Sequence, residues 1–406
     1  MEQRDVIVVG GGLSGLSFAW HAAKGGKRVL VLEAAPKLGG CLDSRRQPEG
    51  YWYELGAHTC YNSYGSLLEI LEQAGKLGDV VPRGEARKRF ALLRDGEIAV
   101  MGPLSIFLQF DAWDLLKSAP RALGAKKEGV TTYAYYSRVV GKRNYSRVLG
   151  PFLSAVPSQN VDAFPASGAG SLFKKRSRRT DVVKSFTLRG GLGTAIEVMA
   201  AAPGVEAETG VVVREVRKHG AGYQVRMQDG RSYEAPLVCL AVPPSMAAAM
   251  LRLDFPEISG ELARVHMVAL ETVGVVARRE KVKLPELAFL VPVDDIFWST
   301  VTRDPVPDPA FRAFAFHFRT GHPDSEKMGK ISSILGIGAA EFEDQSRRMT
   351  VLPSPTIGHD RTVAELDRML AGSRLALTGN YFAGLAIEDC VLRSRAEWAR
   401  VAAASS

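Results

Sequence analysis

The order of apolar and polar positions at the start of the chain predicts a strand, a helix and a second strand. Residues 6–9 are four consecutive apolar residues, a run that is typical of a buried strand. Residues 16–24 form a helical run, and residues 29–32 form a second apolar run that is followed by Glu33. The six residues between the first strand and the helix include four glycines, which indicates a tight turn. The pattern therefore predicts a β-α-β unit.

A second group of strand patterns lies in the middle of the chain. The predicted strands are residues 209–217, 223–227, 231–234 and 237–241. Asp229-Gly230 separates the second of these runs from the third, and this dipeptide between two strands predicts a hairpin. Pro243-Pro244 follows the last run and predicts its end.

We expect one nucleotide-binding domain that is assembled from three separate parts of the chain. Its predicted parts are residues 1–80, 186–249 and 352–406. The third part carries a strand over residues 375–380, which leads into a glycine-containing turn, and a helix that begins near Ile387. Parts so far apart in sequence predict that two other units are inserted into this domain.

The two insertions differ in their patterns. Residues 81–185 begin with a hairpin around Asp95-Gly96 and then become mainly helical, whereas residues 250–351 are rich in strand-like runs. We expect the first insertion to face substrate or membrane, and the second to form a β-sheet substrate domain. The predicted fold class is α/β in the nucleotide-binding domain and α+β overall.

Residues 101–123 carry a series of large apolar side chains at helical spacing. We expect this face to pack on the protein core, as most such faces do. Insertion into a lipid interface is the alternative.

The glycine turn has the spacing of a dinucleotide-binding fingerprint. It fits G-x-G-x-x-G at Gly10, Gly12 and Gly15. The first glycine permits the turn, the second lets a pyrophosphate approach the backbone, and the third lets helix and strand pack closely. Leu13 and Ser14 lie in the turn that leads into the helix, and the free N–H groups of the helix N-terminus favour phosphate. The Glu33 carboxylate suits the ribose hydroxyls of an adenosine, so we predict dinucleotide binding.

The overall charge is basic. The chain has 406 residues, a net charge of +8 and a pI of about 9.3, which suits anionic partners. The densest basic run is residues 174–179. We expect a solvated surface loop there, with a membrane surface or an anionic ligand as the alternative. The chain shows no nucleic-acid-binding motif around this run, so we expect no nucleic-acid partner.

The cysteines predict neither a disulfide framework nor a metal site. They are Cys41, Cys60, Cys239 and Cys390, which are far apart and form no C-x-x-C pair. A reducing cytoplasm is the simplest setting. No apolar run approaches the roughly 18 residues of a membrane span, and the first strand begins directly after residue 5, so we also expect no signal peptide. Peripheral association with an anionic membrane stays open.

Two short segments resemble those of FAD enzymes of the glutathione-reductase-like and amine-oxidase-like type. The first continues from Glu33 in the pattern E-A-x-x-x-x-G-G, and the second is E-L-G-A-H at residues 54–58. The resemblance implies a Rossmann-like FAD-binding domain, with FAD as the cofactor. It also implies that the cofactor contacts include Ala34, Gly39, Gly40, Gly56, Ala57 and His58.

One position departs from this pattern. Many amine oxidases carry a phosphate-contacting arginine directly after Gly-Gly, and this chain has Cys41 there. Arg45 and Arg46 are the nearest arginines in sequence that could supply the charge.

The end of the chain resembles the protoporphyrinogen oxidases, a family within the amine oxidase superfamily. Residues 377–390 resemble its G-N-Y-x-x-G-V-x-x-x-D-C segment. The stretches at residues 149–156, 186–193, 289–292 and 298–299 resemble further segments of that family. The resemblance implies that Gly379 and Asn380 lie against the flavin, and that the helix from Ile387 presents its N-terminus to the pyrimidine end of the ring.

The same resemblance extends to several other residues. Arg89 matches an arginine that is implicated in binding a substrate propionate, although an ordinary surface arginine is the alternative. His58 stands where several members carry arginine and is either a flavin or substrate contact or a packed neutral histidine. Ala241 and Val213 are expected cofactor contacts, the latter through its backbone to the adenine.

These features predict an FAD-dependent oxidase that converts protoporphyrinogen IX or coproporphyrinogen III to the porphyrin, with oxygen as acceptor and hydrogen peroxide as product. The substrate would be an anionic tetrapyrrole. A flavin amine oxidase or a desaturase is the alternative, because one fold hosts many reactions. A non-catalytic protein that binds flavin or porphyrin is a second alternative.

Overall fold

The computed structural model describes residues 4–404. Residues 1–3 and 405–406, which end two parts of the predicted nucleotide-binding domain, lie outside the described residues. The strands are β1 Val6–Val9, β2 Val29–Glu33, β3 Ser44–Arg46, β4 Trp52–Glu54, β5 Cys60–Tyr61, β6 Val80–Pro82, β7 Phe90–Arg94, β8 Glu97–Met101, β9 Ser185–Leu188, β10 Val205–Thr209, β11 Val213–His219, β12 Gly222–Met227, β13 Ser232–Ala235, β14 Leu237–Leu240, β15 Met267–Arg278, β16 Phe289–Pro292, β17 Phe297–Thr302, β18 Phe311–Phe318, β19 Phe342–Pro353 and β20 Leu375–Leu377.

Helices connect and cover these strands. They are α1 Leu13–Lys24, α2 Gly65–Gln73, α3 Ala112–Ala122, α4 Thr132–Val140, α5 Lys142–Asn144, α6 Gly150–Ala155, α7 Gly193–Ala200, α8 Pro244–Leu251, α9 Pro256–Leu262, α10 Asp324–Leu335, α11 His359–Leu370 and α12 Ile387–Ala403. A π-helical turn, Tyr145–Leu149, joins α5 to α6.

A five-stranded parallel sheet holds the predicted β-α-β unit. Its strand order is β10-β2-β1-β14-β20, and every neighbouring pair is parallel. The central strands are apolar throughout because both faces of the sheet are covered. Val6 and Val8 of β1 face α1 and α12, whereas Ile7 and Val9 face the small antiparallel sheet β11-β12-β13. The carboxyl ends of β1, β2 and β14 therefore meet at one edge.

The predicted hairpin is confirmed, but one predicted strand is divided. β12 and β13 pair in antiparallel fashion on either side of Asp229-Gly230. The run over residues 209–217 does not form one strand, because the chain turns at Gly210. Its first residue ends β10 in the parallel sheet, and Val213 begins β11 in the small sheet. Most residues of this run are typical of strands, so the sequence did not reveal that the chain passes from one sheet to another within it.

A seven-stranded sheet of order β19-β15-β18-β17-β16-β7-β8 forms the second layer. The hairpin around Asp95-Gly96 is β7-β8, and it joins this sheet by parallel pairing of β7 with β16. One face of the sheet packs on α10 through Phe314 and Ile331. The other face is turned toward the segments that resemble those of FAD enzymes, residues 33–40 and 54–58, which we call the FAD-like segments. Gly274 leaves room there for Leu55.

The apolar face of residues 101–123 does not pack on the core, contrary to expectation. Ile106 contacts a buried cluster around Phe90, but most of the other large side chains are exposed to solvent. The exposed side chains, with their exposed fractions, are Leu104 81%, Phe107 70%, Leu108 83%, Trp113 63%, Leu116 63% and Leu123 80%. Only residues 112–122 of this stretch form an α-helix, and within residues 4–404 no other element covers its exposed apolar side chains.

The basic run at residues 174–179 is only partly the solvated loop that we expected. Arg176 binds Asp389 at 2.7 Å, and Arg179 binds Glu72 at 2.7 Å. The Lys174 ammonium also contacts Asp389, at 3.6 Å. These ion pairs hold the run against the first turn of α12 and against helix α2.

A buried ion pair fixes the turn between β17 and β18. Arg312 donates to both oxygens of Asp304 at 2.8 and 2.7 Å, and to the Leu284 carbonyl at 2.6 Å. The other Asp304 contact is the Leu287 N–H at 3.1 Å. Since both charges are fully enclosed and share their hydrogen bonds, removal of either partner would leave an uncompensated buried charge. The pair therefore holds the neighbouring Arg303 in a fixed place.

Candidate active site

The glycine turn brings the end of β1, the start of α1 and the end of β14 into direct contact. A Cβ at Gly15 would overlap the carbonyl oxygen of Gly10, and a Cβ at Gly10 would lie 2.5 Å from the carbonyl oxygen of Ala241. Gly10 also has a φ of +106°, which side chains disfavour. Only glycine fits at these two positions, and Ala241, which we expect to contact the cofactor, lies beside them.

A second glycine pair lies against the first. Gly12 forms a parallel bridge to Gly39, and a Cβ at Gly40 would lie 2.9 Å from the Gly12 Cα. Gly12 is also the N-cap of α1 and cannot cap the helix with a side chain, and the first turn carries no acidic residue. The N–H groups of Leu13 and Ser14 are thus left for a phosphate. This cradle fits the pyrophosphate of FAD.

Glu33 is fixed at the end of β2. Its Oε2 accepts the Gly11 N–H at 2.6 Å, and its Oε1 accepts the Ala35 N–H at 2.8 Å. Ala34 lies between these partners and is exposed. The carboxylate keeps lone pairs that could accept ribose hydroxyls. Val213 is buried at the start of β11, so any contact that it makes with an adenine involves its backbone.

An arginine from a distant part of the chain lies against the second glycine pair. Arg348 of β19 donates to the Gly40 carbonyl at 2.5 Å and to Asp43 at 2.6 Å. Arg45 lies on the other side of Asp43, at 3.4 Å. Arg46 instead binds the Gly190 carbonyl and Glu197, so it does not face the cradle. We propose Arg348, which no local motif indicates, as the cation nearest to the second glycine pair.

The segment after β4 passes directly over the second glycine pair. The Ala57 N–H donates to the Cys41 carbonyl at 3.1 Å, and a Cβ at Gly56 would overlap that same oxygen. The structure thus brings Gly56 and Ala57 close to Gly39-Gly40, as expected for residues that contact one cofactor.

The C-terminal segment closes this arrangement. Gly379 and Asn380 follow β20, and α12 begins at Ile387 as predicted. The Ser394 hydroxyl of α12 donates to the Ser14 carbonyl of α1 at 2.8 Å. Glu388 of α12 accepts the N–H of Ser66 at 2.8 Å, at the start of α2. These contacts fix the N-terminus of α12 beside that of α1.

His58 is part of a buried pair that the sequence did not reveal. Its Nε2 lies 3.1 Å from the Nε2 of His317 on β18, and the Nδ1 of His317 lies 2.9 Å from the Thr272 hydroxyl. Burial lowers the pKa of His58, and it lowers the pKa of His317 to about 4. Both imidazoles are therefore neutral at pH 7, and one N–H serves as the donor between them.

Arg89 directly precedes Phe90, the first residue of β7, which belongs to a cluster of three aromatic rings. It is exposed and directly precedes β7, and its guanidinium has no hydrogen-bond or ion-pair partner within residues 4–404. The Phe90 ring stacks on Phe289 with centroids 5.3 Å apart, and Phe152 contacts it edge-on at 5.4 Å. Phe90 is buried in this cluster, whereas the Arg89 guanidinium is exposed and suits an acidic substituent of a ligand.

We expect Gly12→Val to fold but to lose FAD. At Gly12 the backbone φ is −82° and a Cβ would lie 3.4 Å from Gly40, so the protein tolerates the side chain, which instead fills the space needed by a pyrophosphate. The variant should bind FAD at least about ten-fold more weakly, a loss of about 1.4 kcal/mol. Flavin absorbance per protein and a titration with FAD measure this. Gly65→Val is the control, since a Cβ at Gly65 meets open space. Unchanged FAD affinity in Gly12→Val would contradict the assignment.

We expect His317 to make folding stability depend on pH. Its folded pKa of about 4 lies below the ordinary value of 6.5, so between these values the unfolded chain binds a proton that the folded chain does not. The free energy of unfolding should be complete above pH 6.5 and fall on acidification by about 1.4 kcal/mol per pH unit until pH 4. Urea unfolding between pH 7 and pH 4.5 measures the slope.

His317→Gln should reduce this slope by about 1.4 kcal/mol per pH unit, and part of the slope should stay because burial also lowers the pKa of His58. His219→Gln is the matched control, because His219 is exposed and its removal should leave the slope in place. Parallel curves for wild type and His317→Gln would show that the buried pair is protonated in the folded state.

The chain is similar to several known proteins over nearly its whole length. The chain is similar to a coproporphyrinogen III oxidase from Propionibacterium freudenreichii subsp. freudenreichii, with 24% identity over 96% of this chain and 89% of that protein. It is also similar to a protoporphyrinogen oxidase from Homo sapiens, with 22% identity over 97% of each chain. A structure from Exiguobacterium sp. 255-15, provisionally named a protoporphyrinogen oxidase, superposes with a TM-score of 0.80 over 98% of each chain at 18% identity.

The fold and the cofactor follow from these matches. The structure shares its mixed α/β fold with the superposed protein, as the sequence predicted. A family model described as flavin containing amine oxidoreductase matches residues 13–287, more than half of the chain. FAD is therefore the cofactor, and the chain belongs to the flavin containing amine oxidoreductase family.

Proposed function

We propose that this protein is an FAD-dependent oxidase that converts a porphyrinogen, either protoporphyrinogen IX or coproporphyrinogen III, to the porphyrin. The observation that carries the proposal is the exposed, unpaired guanidinium of Arg89, which directly precedes the aromatic cluster of Phe90, Phe152 and Phe289. A porphyrinogen carries acidic side chains, and a guanidinium complements such groups. Support also comes from the names of the relatives, which act on two such substrates.

The protein residues orient the substrate rather than react with it. Bound FAD supplies hydride acceptance from carbon and reoxidation by oxygen, with release of hydrogen peroxide. The chain provides a cradle for the pyrophosphate and cations for the acids. His58 and His317 are neutral, so they add hydrogen bonds beside the cofactor segments without adding charge.

The local charge disfavours the alternative of an amine substrate. An ammonium ion would meet the unpaired guanidinium of Arg89. The carboxylate closest to His58 along the chain, Glu54, is already bound by the Ser44 hydroxyl and the Leu192 N–H. Burial also raises the pKa of Glu54 to about 7, so this group is only a partial countercharge at neutral pH.

We also propose that the protein binds anionic membranes at its periphery. The exposed apolar residues of the segment 104–123 form a surface that water does not favour, and Lys117 lies over the Trp113 ring at 5.2 Å within it. Apolar side chains flanked by cations are typical of interfacial helices. In the described part of the chain, every helix is too short or too polar to span a bilayer.

We expect the FAD-loaded protein to produce porphyrin fluorescence from a porphyrinogen in air, faster than spontaneous oxidation. Arg89→Ala should raise KM about ten-fold or more, because a guanidinium–carboxylate contact is lost, and should change kcat less. Lys88→Ala is the neighbouring control, since Lys88 is exposed and pairs with Glu85. A fully loaded enzyme that oxidises neither porphyrinogen would refute the proposal, and peroxide release from amines would favour the alternative.

We expect the protein to sediment with anionic liposomes at low salt and less so at high salt, because part of the attraction is electrostatic. Phe107→Asp with Leu108→Asp should abolish sedimentation, since both side chains are exposed on the proposed surface. Leu253→Asp is the control, because Leu253 is 53% exposed elsewhere. Recovery of the wild type in the supernatant would exclude membrane binding.

A further inference from the structure

A cavity of about 30 Å³ lies between β4 and the ends of β17 and β18. It lies on the face of the seven-stranded sheet that is turned toward the FAD-like segments. The polar residues that line it include Glu54, His58, Arg83, Thr187, Thr302 and Arg303. His58 connects this cavity to the candidate active site.

Two guanidinium groups point to the use of this cavity. Arg83 has no hydrogen-bond acceptor and no ion-pair partner in the described part of the chain. Arg303 donates from Nη1 to the Val306 carbonyl at 2.7 Å, but its buried Nε has no acceptor. Burial lowers the pKa of both groups, which shows that the protein holds these cations at a cost in solvation.

The Arg303 guanidinium is held in a fixed plane. It lies over the Tyr51 ring at 4.4 Å and over the Trp52 ring at 4.3 Å. The next residue is Asp304, whose buried pair with Arg312 fixes the chain at this point. A planar cation with an unused donor and immobile neighbours is preorganised for a planar anion.

A third donor has no partner either. Thr187 on β9 is 2% exposed, and its hydroxyl makes no hydrogen bond although it lines the cavity. Buried hydroxyl groups are almost always hydrogen-bonded in folded proteins, so this group also points to a ligand.

The acidic groups nearby are engaged elsewhere. Glu54 is bound by Ser44 and Leu192, and Asp304 is bound by Arg312. Asp308 accepts the N–H groups of the two residues at the start of β18, Ala310 and Phe311. None of these carboxylates lies within 4 Å of the Arg83 or Arg303 nitrogens, so the cavity lacks a close countercharge.

We propose that this cavity is a carboxylate-binding subsite, in which Arg83, Arg303 and the Thr187 hydroxyl hold one acidic side chain of the substrate. The proposal rests on the proposed function and adds a second acid-binding position to Arg89. Arg83 precedes and Arg89 follows the single turn Glu85–Lys88, so one short segment supplies cations to both positions. The substrate class that fits is a ring with at least two carboxylic acid groups.

The test measures binding of protoporphyrin IX and of its dimethyl ester to the FAD-loaded protein in the same detergent. We expect the free acid to bind the wild type at least about ten-fold more tightly than the ester, because charge-assisted hydrogen bonds are lost on esterification. Arg83→Met and Arg303→Met should each weaken binding of the acid by about ten-fold and leave binding of the ester unchanged. Arg303→Lys, which keeps the charge but not the fork, should fall between.

Arg87→Met is the matched control, because Arg87 is exposed in the same turn and donates only to backbone carbonyls. Flavin content and the urea midpoint identify any variant that fails to fold. If Arg303→Met is such a variant, Arg303→Lys replaces it in the test. Equal binding of acid and ester by the wild type, or no effect of either methionine variant, would overturn the subsite. If the wild type binds the acid as expected but does not oxidise a porphyrinogen, the proposed function is refuted and the subsite is not. The two outcomes can be separated because the binding test needs no turnover.

Discussion

Close contacts between backbone segments at glycine residues determine where the other elements of the candidate active site lie. Helix α1 starts against the carbonyl of Gly10, and the second glycine segment crosses it within a few ångströms at Gly12 and Gly40. These approaches are possible only because no Cβ intervenes. They bring an uncapped helix start to the edge where three parallel strands end, which is the usual position of a ligand crevice in such sheets.

The local sequence pattern was enough to predict those features that depend only on residues adjacent in the chain. The glycine turn, the hairpin at Asp229-Gly230 and the start of α12 each follow from a few adjacent side chains, and the structure has them as predicted. Arg348 and His317 could not be found in this way, since each meets its partners, Gly40 and His58, across more than 250 residues of sequence. Strand pairing in the seven-stranded sheet brings them there, and the sequence of one chain does not encode that pairing locally.

The solvent exposure of side chains was as hard to predict from the sequence as the contacts of Arg348 and His317. The apolar spacing of residues 101–123 is the same whether a partner element covers the face or not, and here none does within the described residues. In the opposite direction, the basic run at residues 174–179 has the composition of a solvated loop, yet three of its side chains are paired with acids from other elements. Composition reports the side chains that are present, but only the tertiary structure decides which of them face water.

The strand order of the parallel sheet has a consequence for synthesis. The glycine turn is made first, but β20 and α12, which complete the crevice around it, come from residues 375–403. A ribosome adds about 5–20 residues each second, so the growing chain exposes its half-built sheet for many seconds before the last strand arrives. The crevice is therefore complete only after β20 and α12 have been made. During that interval the β14 edge that later receives β20 is unpaired, and it is the natural site for a chaperone or for aggregation.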